Sequence, residues 1–97
     1  DPFRSVTLAL VEDKLGRHAQ AEAILAKLQA TCGDACAYYY AETYAQWAST
    51  VTALEWLELA LRLRDMRLEW LRTDPLLDPL RQEPRFQAIQ QALKFPT

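Results

Sequence analysis

Apolar residues recur along the chain at helical spacing. Val6, Leu8, Ala9, Leu10, Val11 and Leu15 form a first run, which Gly16 interrupts. Ala21, Ala23, Ile24, Leu25 and Leu28 form a second, and Ile24, Leu25 and Leu28 share one helix face. Gly33 predicts the end of that helix through a left-handed cap, and Asp34 the N-cap of the next. Cys36, Tyr40, Tyr44 and Trp47 follow at steps of four, four and three, so they share a face. Ser49 or Thr50 can cap a further helix carrying Ala53, Leu54, Trp56, Leu57, Ala60 and Leu61. After Leu63, Asp65, Asp74-Pro75, Asp78-Pro79 and Glu83-Pro84 divide the tail into short helices over 66–72, 76–81 and 84–94. No segment alternates with period two, so the fold class expected is all-α.

Two stretches align with each other. Gly16-Arg17-His18-Ala19-Gln20-Ala21 falls on Ala48-Ser49-Thr50-Val51-Thr52-Ala53, and Leu25 falls on Leu57, at a spacing of 32. Each unit reads as a helix, a tight turn and a second helix. Periods of this order mark helical repeat arrays.

On these residues the chain resembles the tetratricopeptide repeat family. Ala41, Tyr44, Ala53, Leu57 and Ala60 match its alternation of small and large contact positions, as do Ala9, Gly16, Ala21 and Leu25. The tail, through Trp56-Leu57, Asp74-Pro75, Asp78-Pro79-Leu80-Arg81 and Pro84-Arg85-Phe86, is similar to the closing segment of such arrays in multidomain bacterial proteins of cyclase-like, kinase-like and winged-helix type. The resemblance implies a right-handed α-solenoid: one repeat over 2–33, a second over 34–65, and capping helices over 66–97. It also implies a cytoplasmic module that binds or scaffolds proteins. The alternatives are an accessory segment of a signalling enzyme or transcription regulator, and a structural homodimer unit.

In the resembled family one side of each first helix lines a groove for peptides. Here that side would comprise Tyr38, Glu42, Ala45 and Gln46 in the second unit, and Val6, Leu10, Asp13 and Lys14 in the first. Between Leu28 and Leu61 there is no Lys or Arg, so such a groove would suit a neutral or basic peptide. A helix pair in an array cannot bury its apolar face alone. Leu76, Leu77, Leu80 and Phe86 are expected to cover the face left by Trp56 and Leu57. The first helix pair is expected to expose an apolar face, through which a homodimer could form.

Composition narrows the function. The 97 residues are half apolar and a quarter charged, with a net charge of −2, so the basic excess of a nucleic-acid binder is absent. The longest uncharged stretch, 43–54, is too short and polar to span a membrane. The start lacks the pattern of a signal peptide and has no Met, which reads as a fragment or processed product. Neither a nucleic acid nor a membrane is expected as a partner.

Candidate chemistry is thin. Cys32 and Cys36 flank Gly33-Asp34. The stripe position of Cys36 argues for buried free thiols; a disulfide across the turn is the alternative, and a metal site comes third. His18, the only histidine, has no nucleophile or orienting group near it in sequence. The arginines at 62, 64, 67, 72, 81 and 85 alternate with acidic residues and read as surface ion pairs. No catalytic residue, metal ligand or cofactor is expected.

Overall fold

The computed structural model describes residues 2–93. Helix α1 (Pro2–Lys14) and helix α2 (His18–Cys32) form one hairpin; α3 (Ala37–Gln46) and α4 (Thr50–Arg62) form a second. Two 3₁₀ segments, Met66–Trp70 and Pro75–Leu80, lead to α5 (Pro84–Leu93). Among the described residues there is no strand. The chain is thus all-helical, as the hydrophobic pattern predicts. Lys94, the expected end of the last helix, lies outside the described residues.

The two hairpins are built alike. Their second helices begin at His18 and Thr50, 32 residues apart. Each turn closes with the same pair of hydrogen bonds. Arg17 N–H donates to the Glu12 carbonyl and Gly16 N–H to that of Asp13; Ser49 N–H donates to Tyr44 and Ala48 N–H to Ala45. This pairing caps a helix whose chain turns through a left-handed residue. Gly16 sits there at φ +82° and Ala48 at φ +61°. Each helix of the two hairpins carries a fully buried alanine, Ala9 and Ala21 in the first and Ala41 and Ala53 in the second.

The joint between the hairpins differs from the expectation. Gly33 takes positive φ, but its ψ of −148° is not the left-handed helical value. Its N–H still closes α2 by donating to the Gln29 carbonyl. Asp34 is not the N-cap of α3. It lies inside a 3₁₀ turn, Gly33–Cys36, and Cys36 occupies the cap position without a side-chain bond. The extra turn carries the chain from one hairpin to the next, so α3 starts at Ala37. Ser49 does occupy the N-cap position of α4, but its hydroxyl makes no capping bond.

One apolar cluster joins the hairpins: Val6, Leu25, Leu28, Cys36, Tyr39 and Tyr40, with Leu10, Tyr44, Trp47 and Trp56 packed against it. The stripe from Cys36 to Trp47 therefore faces the first hairpin. A second cluster lies between the α3–α4 hairpin and the tail. It holds Tyr38, Ala45, Leu57, Leu71, Leu77, Leu80 and Phe86. Three of the four expected capping residues are fully buried; Leu76 is only partly so and instead accepts a hydrogen bond from Gln46 through its carbonyl, at 2.9 Å.

The tail takes its shape from its aspartates and prolines. Asp65 accepts from Arg67 N–H and Asp74 from Leu76 N–H, each starting a 3₁₀ turn. Pro75 follows Asp74 at a helix start, where a missing N–H costs nothing. The expected segments 66–72 and 76–81 are therefore 3₁₀ rather than α-helical. A short run with the proline Pro79 inside it cannot sustain the i→i−4 ladder. Arg85 on α5 reaches Glu58 on α4 with its Nε at 2.9 Å, fastening the last helix.

Candidate functional site

Tyr38, Glu42, Ala45 and Gln46 do lie along one side of α3, but that side is not open. The 3₁₀ segment Pro75–Leu80 and its flanks fold over it. Tyr38 is fully buried, Ala45 nearly so, and Glu42 is 6% exposed. Gln46 is tied to the tail through the Leu76 carbonyl. The expected groove is corrected on this point: these four residues seat the tail. Asp-Pro turns after Thr73 reverse the chain onto α3, so the chain's own tail covers this side of the second unit.

The first-unit positions scatter. Val6 is buried in the cluster between the hairpins and Leu10 packs against it. Asp13 pairs with His18, and Lys14 is exposed at the end of α1. The eight residues therefore do not form one surface.

The chemistry gathers around Asp74, which sequence reasoning recognised only as a cap. Its carboxylate accepts the Leu76 N–H at 2.9 Å and the Tyr38 hydroxyl at 2.7 Å. Asp74 is 8% exposed. Burial, the hydrogen bond to Asp74 and the charge of Asp74 push the Glu42 carboxyl up to about 9, so it is protonated near neutral pH and donates to Asp74. Burial first, then Asp74, pushes the Tyr38 phenol far above its ordinary range. The Tyr38 ring meets Trp70 edge-on, with centroids 6.1 Å apart. The Asp-Pro dipeptide signalled a cap; nothing local signalled that its second acceptor oxygen meets a tyrosine 36 residues earlier.

Beside this network lies a recess of about 370 Å³, lined by Phe3, Tyr39, Glu42, Trp70, Asp74 and Pro75 among others. Arg67 stands over the Tyr39 ring at 4.7 Å and donates to Asp65 and to the Ala35 carbonyl. Arg81 donates to Asp78 and to the carbonyls of Leu71 and Asp74.

The cysteines are also corrected. Cys32 and Cys36 form a disulfide, with Cα atoms 5.9 Å apart. The reading of two free thiols went too far from a true premise: Cys36 is fully buried, but the 3₁₀ turn brings Cys32 back to it. Tyr40 donates its hydroxyl to the Gly33 carbonyl within the same turn, at 2.7 Å. Disulfides persist in oxidising compartments, so this pair lends nothing to a cytoplasmic assignment. Among the described residues no group of three or more His, Cys, Asp or Glu could hold a metal ion. None of the described helices is long and apolar enough to cross a membrane.

His18 is exposed between Asp13 and Glu22, with its ring 5.0 Å from that of Trp47. The hydrogen bond to Asp13, supported by Glu22, raises its pKa. The three side chains form a clasp across the first turn.

No family model matches the chain, and neither does a curated protein or a solved structure. The functional reading therefore rests on the geometry.

Proposed function

We propose that the chain is a non-catalytic helical-repeat module of tetratricopeptide type that binds or scaffolds protein. The surface that meets the partner is the outer face of α1–α2, and the partner presents an apolar helical hairpin. One observation carries this reading. The α3–α4 hairpin docks on the first through Tyr40, Trp47 and Trp56. At the spacing of 32, the same positions in the first hairpin hold Leu8, Leu15 and Ile24. Leu8 is 48% exposed and Leu15 61%, with Val11 between them also exposed. The first hairpin thus carries, at its open end, the positions that form a packed joint one repeat later. An apolar face of this kind favours association.

A homodimer is the second reading, and the tail favours it. The far side of α3–α4 is sealed by Leu77, Leu80 and Phe86. Self-association through the α1–α2 end then closes as a symmetric pair instead of growing into a filament. A regulatory segment of a larger signalling protein would use the same end to meet its neighbouring domain.

The test is sedimentation velocity of the full chain, wild type against Leu8→Glu with Leu15→Glu. Concentration-dependent association in the wild type, lost in the variant with helix content unchanged, is the expected result. A wild-type chain that stays monomeric at high concentration would remove the homodimer. If it also gains nothing from an added helical-hairpin protein with an apolar face, the α1–α2 surface is not a binding surface.

A further inference from the structure

We propose that the Cys32–Cys36 disulfide is a thiol-exchange site, entered through a recess on the α1–α2 hairpin, and that its substrate is a dithiol reductant. Cys32 takes the incoming sulfur and Cys36 leaves. The recess adjoins the face proposed above to meet a partner, but exchange needs no partner seated there, so each proposal can fail alone.

The two sulfurs of the bridge are unequally placed. Cys36 is fully buried, in the cluster that joins the hairpins. Cys32 is partly exposed and lines a recess of about 520 Å³. Ser5 and Leu8 of α1 line the same recess, as do Ile24, Lys27 and Thr31 of α2. A recess of this size admits a small ligand or an inserted side chain. Exchange depends on which sulfur a thiolate can reach. Here that sulfur belongs to Cys32.

Helix position points the same way. Cys32 is the last residue of α2, whereas Cys36 holds the N-cap position of α3 and makes no side-chain bond there. A helix N-terminus stabilises a thiolate and a C-terminus does the opposite. Burial works against a thiolate at Cys36, and the start of α3 offsets that cost. Attack at Cys32 therefore expels the sulfur that α3 is placed to receive. Lys27 is the charged side chain among the described residues that line the recess, and it attracts an incoming thiolate.

The step balances as follows. The thiolate of the dithiol bonds to Cys32 Sγ, the Cys32–Cys36 bond breaks, and its electron pair leaves on Cys36 Sγ, which takes a proton. The second thiol of the reductant then attacks its own sulfur in the mixed disulfide. Cys32 leaves as a thiolate and is protonated by solvent. The protein gains two electrons and two protons, and the dithiol becomes a disulfide. The turn Gly33–Cys36 keeps its bonds from Tyr40 to the Gly33 carbonyl and from Arg67 to the Ala35 carbonyl, but loses its covalent tie to α2. Exchange thus loosens the joint between the hairpins.

The experiment treats the oxidised full chain with reduced glutathione in native buffer, followed by alkylation and peptide mass mapping. Glutathione should be trapped on Cys32, with Cys36 alkylated after unfolding. Dithiothreitol should carry the reaction to two thiols, at a rate that stays flat with urea below the unfolding transition. Lys27→Glu should slow the glutathione step several-fold at low salt, with the effect gone at about 1 M salt. In single variants checked for helix content, the Cys32 thiol of Cys36→Ser should react with a disulfide reagent at least about tenfold faster than the Cys36 thiol of Cys32→Ser. The two rates should converge in urea. Glutathione trapped on Cys36, a reduction rate that climbs with urea as global unfolding does, or an unchanged rate in Lys27→Glu at low salt would each overturn the proposal. The trapping uses wild-type protein, so it decides the matter even if a variant fails to fold.

Discussion

Gly16 and Ala48 occupy the same position in two copies of one turn, yet only one of them is a glycine. Both residues have positive φ, and both turns close with the same pair of backbone hydrogen bonds. A left-handed residue with a Cβ is strained by roughly 1–2 kcal/mol. Ala48→Gly should remove that strain, offset by about 0.4–1 kcal/mol of added freedom in the unfolded chain. The expected net effect is a gain of about 0.5–1 kcal/mol in urea unfolding. Gly16→Ala is the mirror experiment. No atom lies within 4 Å of the added Cβ, so its loss of about 1 kcal/mol would report the backbone alone.

Tyr38 and Asp74 link α3 to the tail through a buried hydrogen bond. Tyr38→Phe removes the donor and leaves Asp74 its bond from Leu76, so a loss of about 1–2 kcal/mol is expected. Asp74→Ala removes more. It takes away the cap of the 3₁₀ turn and leaves the Tyr38 hydroxyl and the Glu42 carboxyl without their acceptor. A loss of about 3 kcal/mol, with the tail the first part to exchange amide protons, is expected. Equal losses in the two variants would mean that Asp74 acts only through Tyr38.

The repeat was legible in the sequence because it is local. Alanines at 9, 21, 41 and 53, and the break at Gly16, are read at a fixed spacing and need no tertiary knowledge. The helical class and the inward stripe of Cys36 and Tyr40 are legible for the same reason. The side of α3 carrying Tyr38 and Glu42 was misread because periodicity shows which residues share a face, not what covers it. A buried glutamate looks like a solvated one until its partner is known. That partner, Asp74, comes from a segment whose Asp-Pro pattern fixes where the chain turns but not the direction it returns from. The cysteines failed for a related reason: a 3₁₀ turn and an α-helical start place Cys32 differently, and the sequence did not distinguish them.

The Cys32–Cys36 disulfide closes a short loop across the joint between the hairpins. Chain-entropy arguments give such a loop about 2 kcal/mol of stabilisation. Reduction, or Cys32→Ser with Cys36→Ala, should lower the urea midpoint accordingly. Thiol titration should find no reactive thiol in the native protein, and two after unfolding with reductant. The hydroxyl of Tyr40, which bonds Gly33 in the same turn, should keep α3 in place, so helix content should persist.

Arg85 and Glu58 join α5 to α4 at the surface. The hydrogen bond from Arg85 lowers the Glu58 pKa below its ordinary value. A depressed carboxyl stabilises the fold above its unfolded pKa and loses that contribution as pH falls through the folded one. Arg85→Ala should therefore lower stability only slightly at neutral pH, as loss of an exposed pair does. The difference from wild type should shrink on acidification below about pH 4, where the carboxylate is protonated in either state.

Glu42 has the opposite sign. Its folded pKa of about 9 stands above the ordinary 4.5, so the native state holds a proton that the unfolded chain gives up. That contribution is fully present below about pH 4.5 and is lost as pH rises toward about 9. Through this window wild-type stability should fall with rising pH, by at most about 1.4 kcal/mol per unit. Glu42→Gln keeps a donor toward Asp74 but has no proton to lose, so its stability should be flatter over the same range. The two unfolding curves should cross, with the variant the more stable in alkaline solution. Parallel curves from about pH 5 to about pH 9 would mean that Glu42 is ionised in the native state. The acid pair would then have to hold two negative charges in a site more than nine-tenths buried.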